Sequence, residues 1–111
     1  MAYFFDSAAR TRKELLPGVA SRTFWGDRML LSLVDLDPTT AIPAHAHPHE
    51  QVGMVLSGTM EMTIAGETRL LSPGDIYIAP GGVEHSVRLG DSACQVLEAF
   101  APVREEYKFP D

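Results

Sequence analysis

Short apolar segments alternate with glycine- and proline-containing turns along the whole chain. The segments are rich in Val, Ile, Leu, Met and Thr, residues that fit the pleated surface of a sheet. Regularly spaced segments of this kind are typical of an antiparallel sandwich or barrel. The pattern therefore predicts an all-β fold.

The predicted strands lie between the turn residues, at positions 22–25, 29–37, 52–56, 59–65, 68–71, 76–79, 85–89 and 93–100. Segments 52–56 and 59–65 are predicted to form a hairpin around Ser57 and Gly58. Because side chains alternate along a strand, we expect Met60, Met62 and Ile64 to face inward.

The N-terminal region contains the one helix that the pattern predicts, from about Ser7 to Leu16. Ser7 is a suitable N-cap residue, and Pro17 and Gly18 would end the helix. A non-helical terminal arm fits the same residues and stays open as the alternative.

Segment 29–37 is apolar on both faces. Leu31 and Leu33 share one face, while Leu30, Val34 and Leu36 share the other. A strand that is buried on both sides in a small β protein indicates a subunit interface. The aromatic residues at positions 3–5 would add to an exposed apolar patch, so the sequence predicts a homodimer.

The length of 111 residues fits one domain, with expected bounds of 1–111. A net charge of −6 disfavours nucleic acid and anionic membrane surfaces as partners. No apolar run approaches the roughly 20 residues that a membrane span needs.

Cys94 is the single cysteine, which excludes an intramolecular disulfide and a zinc site of several thiolates within one chain. With no secretion signal expected at the N-terminus, the cytoplasm is the expected compartment.

Three of the four histidines, His45, His47 and His49, lie within five residues. On a strand, His45 and His47 would point to the same side and could converge on one ion. Imidazole suits several transition metals, so the ligand type alone does not choose among them. His49 follows Pro48 and is expected to face solvent in a turn. Surface histidines remain the alternative for the pair taken alone.

The histidine run belongs to the first of two spaced motifs, which are His45-x-His47-xxx-Gln51-xxxxxx-Gly58 and Gly74-xxxxx-Pro80-x-Gly82-xx-His85. In these motifs the sequence resembles the cupin superfamily, from about Ile42 to Leu89. The resemblance implies a small double-sheet jelly-roll barrel with a short N-terminal arm and a ligand site inside it. The metal-binding core would span about 42–100. Gly53, beside Gln51, is expected to leave room for a substrate.

A closer resemblance rests on the run His-Pro-His-Glu-Gln-Val-Gly and on the ending Glu-x-Phe-x-Pro-x-Arg. Both are similar to the KdgF-like cupins of pectin and alginate breakdown. That group acts on 4,5-unsaturated monouronates, which are small anionic sugars, and speeds their opening to linear keto sugars.

The resemblance assigns a role to each matching position. It implies one divalent transition metal (Zn, Ni, Fe, Mn or Co), with the ligands His45, His47, Gln51 and His85. It also implies three catalytic residues: Glu98 as the acid–base carboxylate, Phe100 as a wall of the site and Arg104 as a clamp for the substrate carboxylate.

This chain departs from the family pattern at three positions. Gln51 stands where cupins most often have Glu, Leu89 where they often have Asn, and Glu98 where the KdgF-like group has Asp. Glu50 is the alternative ligand if the register shifts by one residue, and Glu98 facing outward is the alternative for the last strand.

Two other functions stay open beside ring opening of unsaturated uronates. Cupins with a similar ligand set act as non-haem iron dioxygenases on small molecules. A non-catalytic cupin that binds a sugar or a small acid is the third possibility. The metal-dependent isomerase is the interpretation that accounts for Glu98 and Arg104 together.

Overall fold

The computed structural model describes residues 2–109, which form ten strands and two single turns of 3₁₀ helix. The strands are β1 (Lys13–Leu16), β2 (Val19–Trp25), β3 (Leu30–Leu36), β4 (Ala41–His45), β5 (Glu50–Ser57), β6 (Met60–Ile64), β7 (Glu67–Leu71), β8 (Ile76–Ala79), β9 (His85–Arg88) and β10 (Cys94–Ala101). The 3₁₀ turns are Ser7–Ala9 and Glu105–Tyr107.

Two antiparallel sheets pack face to face. The six-stranded sheet has the order β1-β2-β3-β10-β5-β8, and the four-stranded sheet has the order β4-β9-β6-β7. This arrangement confirms the predicted all-β, double-sheet jelly roll. No helix of residues 2–109 is both long and apolar enough to cross a membrane.

Alternation along the strands determines which side chains form the core. In β3 the even-numbered residues are buried, and in β6 Met60 and Met62 face inward as predicted. The main core cluster joins both sheets through Val19, Val34, Leu36, Val55, Met60, Met62, Tyr77, Leu89, Cys94 and Val96. A smaller cluster of Leu30, Phe100 and Val103 lies apart from it.

The predicted helix of residues 7–16 is wrong. Only Ser7–Ala9 is helical, as one 3₁₀ turn in which the Ala8 amide donates to Asp6 Oδ1 at 3.0 Å. Residues 13–16 form β1, because Gly18 adopts a φ of +81° and turns the chain so that β1 pairs with β2. Pairing at the sheet edge outweighs the weak helical preference of so short a segment.

The predicted hairpin around Ser57 and Gly58 is also wrong. β5 pairs with β10 and β8, whereas β6 pairs with β7 and β9 in the other sheet. Gly58 has a φ of +74°, and a Cβ there would lie 2.0 Å from the Ala93 carbonyl oxygen. This glycine therefore lets the chain pass closely from one sheet to the other.

Candidate metal and substrate site

Two histidines of the site lie on neighbouring strands of the four-stranded sheet. His45 ends β4, His85 begins β9, and the two residues are cross-strand partners. Their ring centroids are 4.3 Å apart. The sequence pattern did not identify β4, because Pro43 interrupts it. β4 is an edge strand with a register irregularity between Ile42 and His45, a position where proline is tolerated.

His47 reaches the same point from the loop between β4 and β5, not from the strand that the alternation argument assumed. Its ring centroid is 5.0 Å from that of His85. The loop is held by a hydrogen bond of 2.8 Å from the Gly82 amide to the His47 carbonyl. A Cβ at Gly81 would lie 2.4 Å from the Pro48 carbonyl oxygen, so a glycine allows the two motifs to pack together.

Three backbone carbonyls orient the imidazoles of this cluster. The Nδ1 atoms of His45, His47 and His85 lie 2.9, 3.0 and 3.0 Å from carbonyl oxygens two residues away in the chain. A proton on Nδ1 that donates to the carbonyl leaves Nε2 with a free lone pair. One ring nitrogen from each of the three histidines lies within 4.8 Å of those of the other two.

The His85 Nε2 atom gives a direct test of fit for a metal ion. It is buried, and it has no hydrogen-bond partner among residues 2–109. Buried polar atoms are nearly always paired, so a lone pair left over beside two other imidazoles fits a cation.

Gln51 supplies the fourth donor. It is buried on the inner face of β5, and its Oε1 lies 3.0 Å from His47 Nε2. When His47 Nδ1–H donates to the His49 carbonyl, Nε2 and Oε1 are two acceptors facing each other. A divalent cation bound by both would remove this conflict. The described donor set of three imidazoles and one amide oxygen therefore fits a transition metal.

The surroundings of His47 and His85 disfavour the charged forms of both rings. Burial lowers the pKa of His47, and the Arg104 guanidinium lowers it further. Burial also lowers the pKa of His85. The hydrogen bond to the Val83 carbonyl raises this pKa, whereas the nearby His45 and Arg104 lower it further. The neutral form is the one with a lone pair for a metal.

Glu98 points into the barrel, and the outward alternative is excluded. Its Oε2 accepts hydrogen bonds from the Tyr77 hydroxyl, at 2.7 Å, and from the Gln51 amide nitrogen. Burial raises the pKa of Glu98, although these two hydrogen bonds and the Arg104 charge oppose the rise. The same burial, together with the Glu98 carboxylate, raises the pKa of Tyr77.

Arg104 packs against two aromatic rings that contact each other edge to face. Its guanidinium carbon is 3.9 Å from the ring centroid of Tyr107 and 5.1 Å from that of Phe100. Its Nε lies 3.3 Å from Glu106 Oε1, and the arginine side chain is mostly buried while Glu106 is exposed. These contacts restrict the position of the guanidinium, whose planar fork of donors suits recognition of a carboxylate.

A cavity of about 610 Å³ brings the predicted residues together. Its lining includes His45, Gln51, His85, Glu98, Phe100 and Arg104. β1 and the C-terminal residues Tyr107 and Phe109 complete its wall. The volume is in the range of small-molecule sites. His47 lies beside this lining, with its ring centroid 5.8 Å from that of Phe100.

The remaining expectations for this region need two corrections. Glu50 is exposed on the opposite face from Gln51, as the alternation predicts. His49 is half-buried, with its ring centroid 5.6 Å from that of His47, so the expectation that it faces solvent is wrong. Gly53 leaves no room for a substrate, because the Tyr77 ring fills the space; a Cβ at Gly53 would lie 2.2 Å from a ring atom.

Tyr77 is the site residue that the sequence analysis did not identify. It lies at an inward position of β8, between Ile76 and Ile78, which point outward. A tyrosine at an inward position with isoleucines on the outer face is an unusual order for a sheet that covers a core. The sequence shows only this order of residues; the pairing of Tyr77 with Gly53, which gives the order its meaning, is seen only in the sheet.

Comparisons with known proteins agree with this geometry. The model of the cupin domain family matches residues 32–100. The pectin degradation protein KdgF of Dickeya dadantii (strain 3937) is 28% identical over 107 residues, which are 95% of this chain and 96% of that protein. The structure of KdgF from Halomonas sp. superimposes with a TM-score of 0.88 at 27% identity, covering 96% of this chain and 98% of that one.

A shorter similarity involves an oxygen-using relative. Quercetin 2,3-dioxygenase of Bacillus subtilis (strain 168) is 37% identical over 65 residues, which are 58% of this chain and 19% of that protein. The relatives thus include named enzymes. Since the family model covers more than half of the chain, the protein belongs to the cupin domain family.

Proposed function

We propose that this cupin is a metal-dependent enzyme that promotes ring opening of 4,5-unsaturated monouronates, derived from pectin or alginate, to linear keto sugars. The observation that carries the proposal is the shared cavity, in which Glu98 and Arg104 face the same space as His45 and His85. Similarity to KdgF over nearly the full length supports the substrate class.

The residues that would hold the metal are His45, His47, Gln51 and His85. All four are neutral donors, so a divalent ion keeps its full formal charge. When bound, such an ion supplies Lewis-acid polarisation of substrate oxygens. The carbonyls that accept from each Nδ1 fix the ring orientations in advance.

Arg104 binds the substrate carboxylate through two parallel N–H···O bonds. The chain carries a net charge of −6, which repels an anion at long range. Salt screens distant charges over about 8 Å, so the nearby guanidinium dominates once the sugar has entered. Phe100 and Tyr107 contact the guanidinium and form an apolar wall beside it.

Glu98 moves the proton. As the bond between C1 and the ring oxygen breaks, the C1 hydroxyl loses its proton to Glu98 and becomes an aldehyde. The ring oxygen remains on C5 as an enolate, and Glu98 returns the proton to C4, which leaves a ketone at C5. No atom or electron is gained or lost. General acid–base catalysis of this kind contributes roughly 10²–10⁴-fold.

The test mixes purified protein with an unsaturated monouronate and follows the signals of the ring form by NMR. We expect faster loss of the ring form than in buffer, abolition of this effect by a chelator, and recovery when a divalent first-row metal is restored. No acceleration with any such metal would reject the substrate class.

A non-haem iron dioxygenase is the second candidate. The three converging histidines and the similarity to quercetin 2,3-dioxygenase favour it. This function predicts oxygen uptake with Fe(II) and a suitable substrate, whereas uronate ring opening consumes no oxygen. Binding of the uronate without either reaction would instead indicate a non-catalytic binding protein.

We also propose that the chain forms a homodimer through the outer face of the six-stranded sheet. This outer face carries four apolar side chains that are well exposed in the single chain: Leu31, Val52, Ile76 and Ile78. Covering such a patch with a second copy would remove apolar surface from water.

The free, buried Cys94 suits the reducing cytoplasm that we propose as the compartment.

A further inference from the structure

Tyr77 lies in one cross-strand row with Glu98. Glu98 on β10 is the register partner of Gly53 on β5, and Gly53 is the register partner of Tyr77 on β8. The outer two residues of this row are therefore separated by a strand that carries no side chain at that position. Tyr77 is only 5% exposed, so its ring belongs to the barrel interior.

The missing side chain at Gly53 explains how Tyr77 reaches Glu98. The phenol ring occupies the space where a Cβ would be, and its hydroxyl arrives 2.7 Å from Glu98 Oε2. The same oxygen accepts the amide N–H of Gln51. Among residues 2–109 no donor to the other oxygen, Oε1, is found, which leaves that oxygen for the substrate.

The direction of the Gln51 amide determines whether it can act as a metal ligand. An amide has a donor end and an acceptor end of nearly the same shape, and only its partners decide which end faces which way. An ionised carboxylate accepts hydrogen bonds and donates none. Glu98 therefore draws the NH₂ group toward itself and turns Oε1 toward His47.

We propose that Tyr77 is a positioning residue: it holds the Glu98 carboxylate against Gln51 and thereby keeps the Gln51 amide oxygen facing the three histidines. The inference rests on the metal site of the proposed function. It adds a residue that touches neither the metal nor the substrate and that acts only through Glu98.

The first experiment measures Co(II) affinity by competition with a chromophoric chelator, so no substrate is needed. Groups that orient metal ligands typically change metal affinity by 10–100-fold when lost, and we expect Tyr77→Phe to weaken Co(II) binding within that range. Tyr3→Phe, the same change at an exposed position, is the matched control and should bind as wild type does. Circular dichroism and cooperative unfolding show whether each variant is folded.

The second experiment asks whether Tyr77 acts through Glu98. Glu98→Gln keeps the shape of the side chain but offers an NH₂ group that can face the Gln51 NH₂ group, so Co(II) affinity should fall. We expect Tyr77→Phe to add little further loss in the Glu98→Gln background. Because Glu98→Gln preserves volume, it also tests the orientation of Gln51 if Tyr77→Phe does not fold.

Each outcome of these measurements has a distinct meaning. If wild type binds Co(II) and Tyr77→Phe binds it within twofold of wild type, the positioning role is overturned while the metal site stands. If the losses of the two variants multiply, Tyr77 does not act through Glu98, and the inference is again overturned. If wild type binds no Co(II) or other divalent first-row metal, the proposed metal site fails and the inference fails with it.

Discussion

The two faces of the six-stranded sheet have opposite characters. At one end of its inner face the sheet carries inward-facing polar side chains, of which Gln51 and Tyr77 are buried and Glu98 is half-buried. Its outer face exposes isoleucines, with Ile76 65% and Ile78 55% exposed. In a sheet that only covers a core, the hydrophobic effect would favour the reverse arrangement. This contrast fits the proposed reaction site at the inner end and the proposed dimer interface on the outer face.

The register of β8 shows what keeps this arrangement in place. A slip by one residue would bury the two isoleucines and expose Tyr77. The observed register instead gives the Tyr77 hydroxyl an acceptor on the half-buried Glu98 and places its ring over Gly53. The register that pairs these polar groups inside the barrel thus leaves two isoleucines outside it. Each prediction below changes either the cavity on the inner side of the sheet or its outer face, beginning with the largest effect.

Removing the carboxylate from the inner face should have the largest effect on catalysis. Glu98→Gln keeps the volume but cannot accept a proton, so we expect kcat for uronate ring opening to fall by roughly 10²–10⁴-fold. NMR rates at saturating substrate measure the effect at a metal concentration that fills both proteins. Glu61→Gln is the control, since Glu61 forms a surface ion pair with Arg88 and should be near neutral. Equal kcat values for Glu98→Gln and wild type would remove the role given to Glu98.

The parts of this structure that were predictable are those that depend on local alternation. The inward positions of β5 and β6, including Gln51 and Met62, follow from the period of two along a strand. The sheet to which each strand belongs does not follow from it. A tight turn at Gly58 looks the same in sequence whether it closes a hairpin or joins two sheets, because the deciding contact is with Ala93 on a distant segment.

The same limit explains what was missed in the site. His45 and His85 could be placed together through two spaced motifs, and Glu98 through the closing one. Tyr77 could not, because its partner lies two strands away across Gly53 and no local pattern relates the three. The predicted helix also included the residues of β1. Pro17 and Gly18 indicate in the sequence that a helix would end there, but they do not indicate that the chain turns back and pairs β1 with β2.

Replacing the Arg104 guanidinium at the cavity should affect substrate binding more than turnover. Arg104→Lys keeps the charge but loses the planar fork and the cation–π contact of the guanidinium with Tyr107. We expect KM for the uronate to rise about 10–100-fold, the range for losing a hydrogen bond to a charged group, with kcat changed much less. Initial rates over a substrate series separate the two constants. Arg88→Lys, at an exposed arginine, is the control and should leave both constants unchanged. If Arg104→Lys lowers kcat and leaves KM unchanged, the clamp role of Arg104 is contradicted.

Adding a side chain at Gly53, where the Tyr77 ring already fills the space, should reduce the free energy of unfolding. A Cβ from Gly53→Ala would collide with the Tyr77 ring, and overpacking of this kind typically costs about 1–3 kcal/mol. Denaturant unfolding of the metal-free protein measures the change. Gly26→Ala is the matched control, because no atom lies within 4 Å of the added Cβ and the φ of Gly26 is not positive. If both variants unfold at the same denaturant concentration, Gly53 is not needed for the Tyr77 ring.

The outer face should respond in the opposite way, with a change of assembly and almost none of catalysis. We expect Ile78→Glu to convert a dimer to a monomer, as measured by light scattering at micromolar concentration, because a charge cannot be buried cheaply against a second copy. Per-chain kcat should stay within twofold of wild type, since Ile78 points away from the cavity. Leu70→Glu places the same charge at a residue that is 70% exposed on the four-stranded sheet, and this variant should remain dimeric. If the wild-type protein is a monomer, the proposed interface is contradicted. If Ile78→Glu and Leu70→Glu both dissociate the dimer, the interface is not the outer face of the six-stranded sheet.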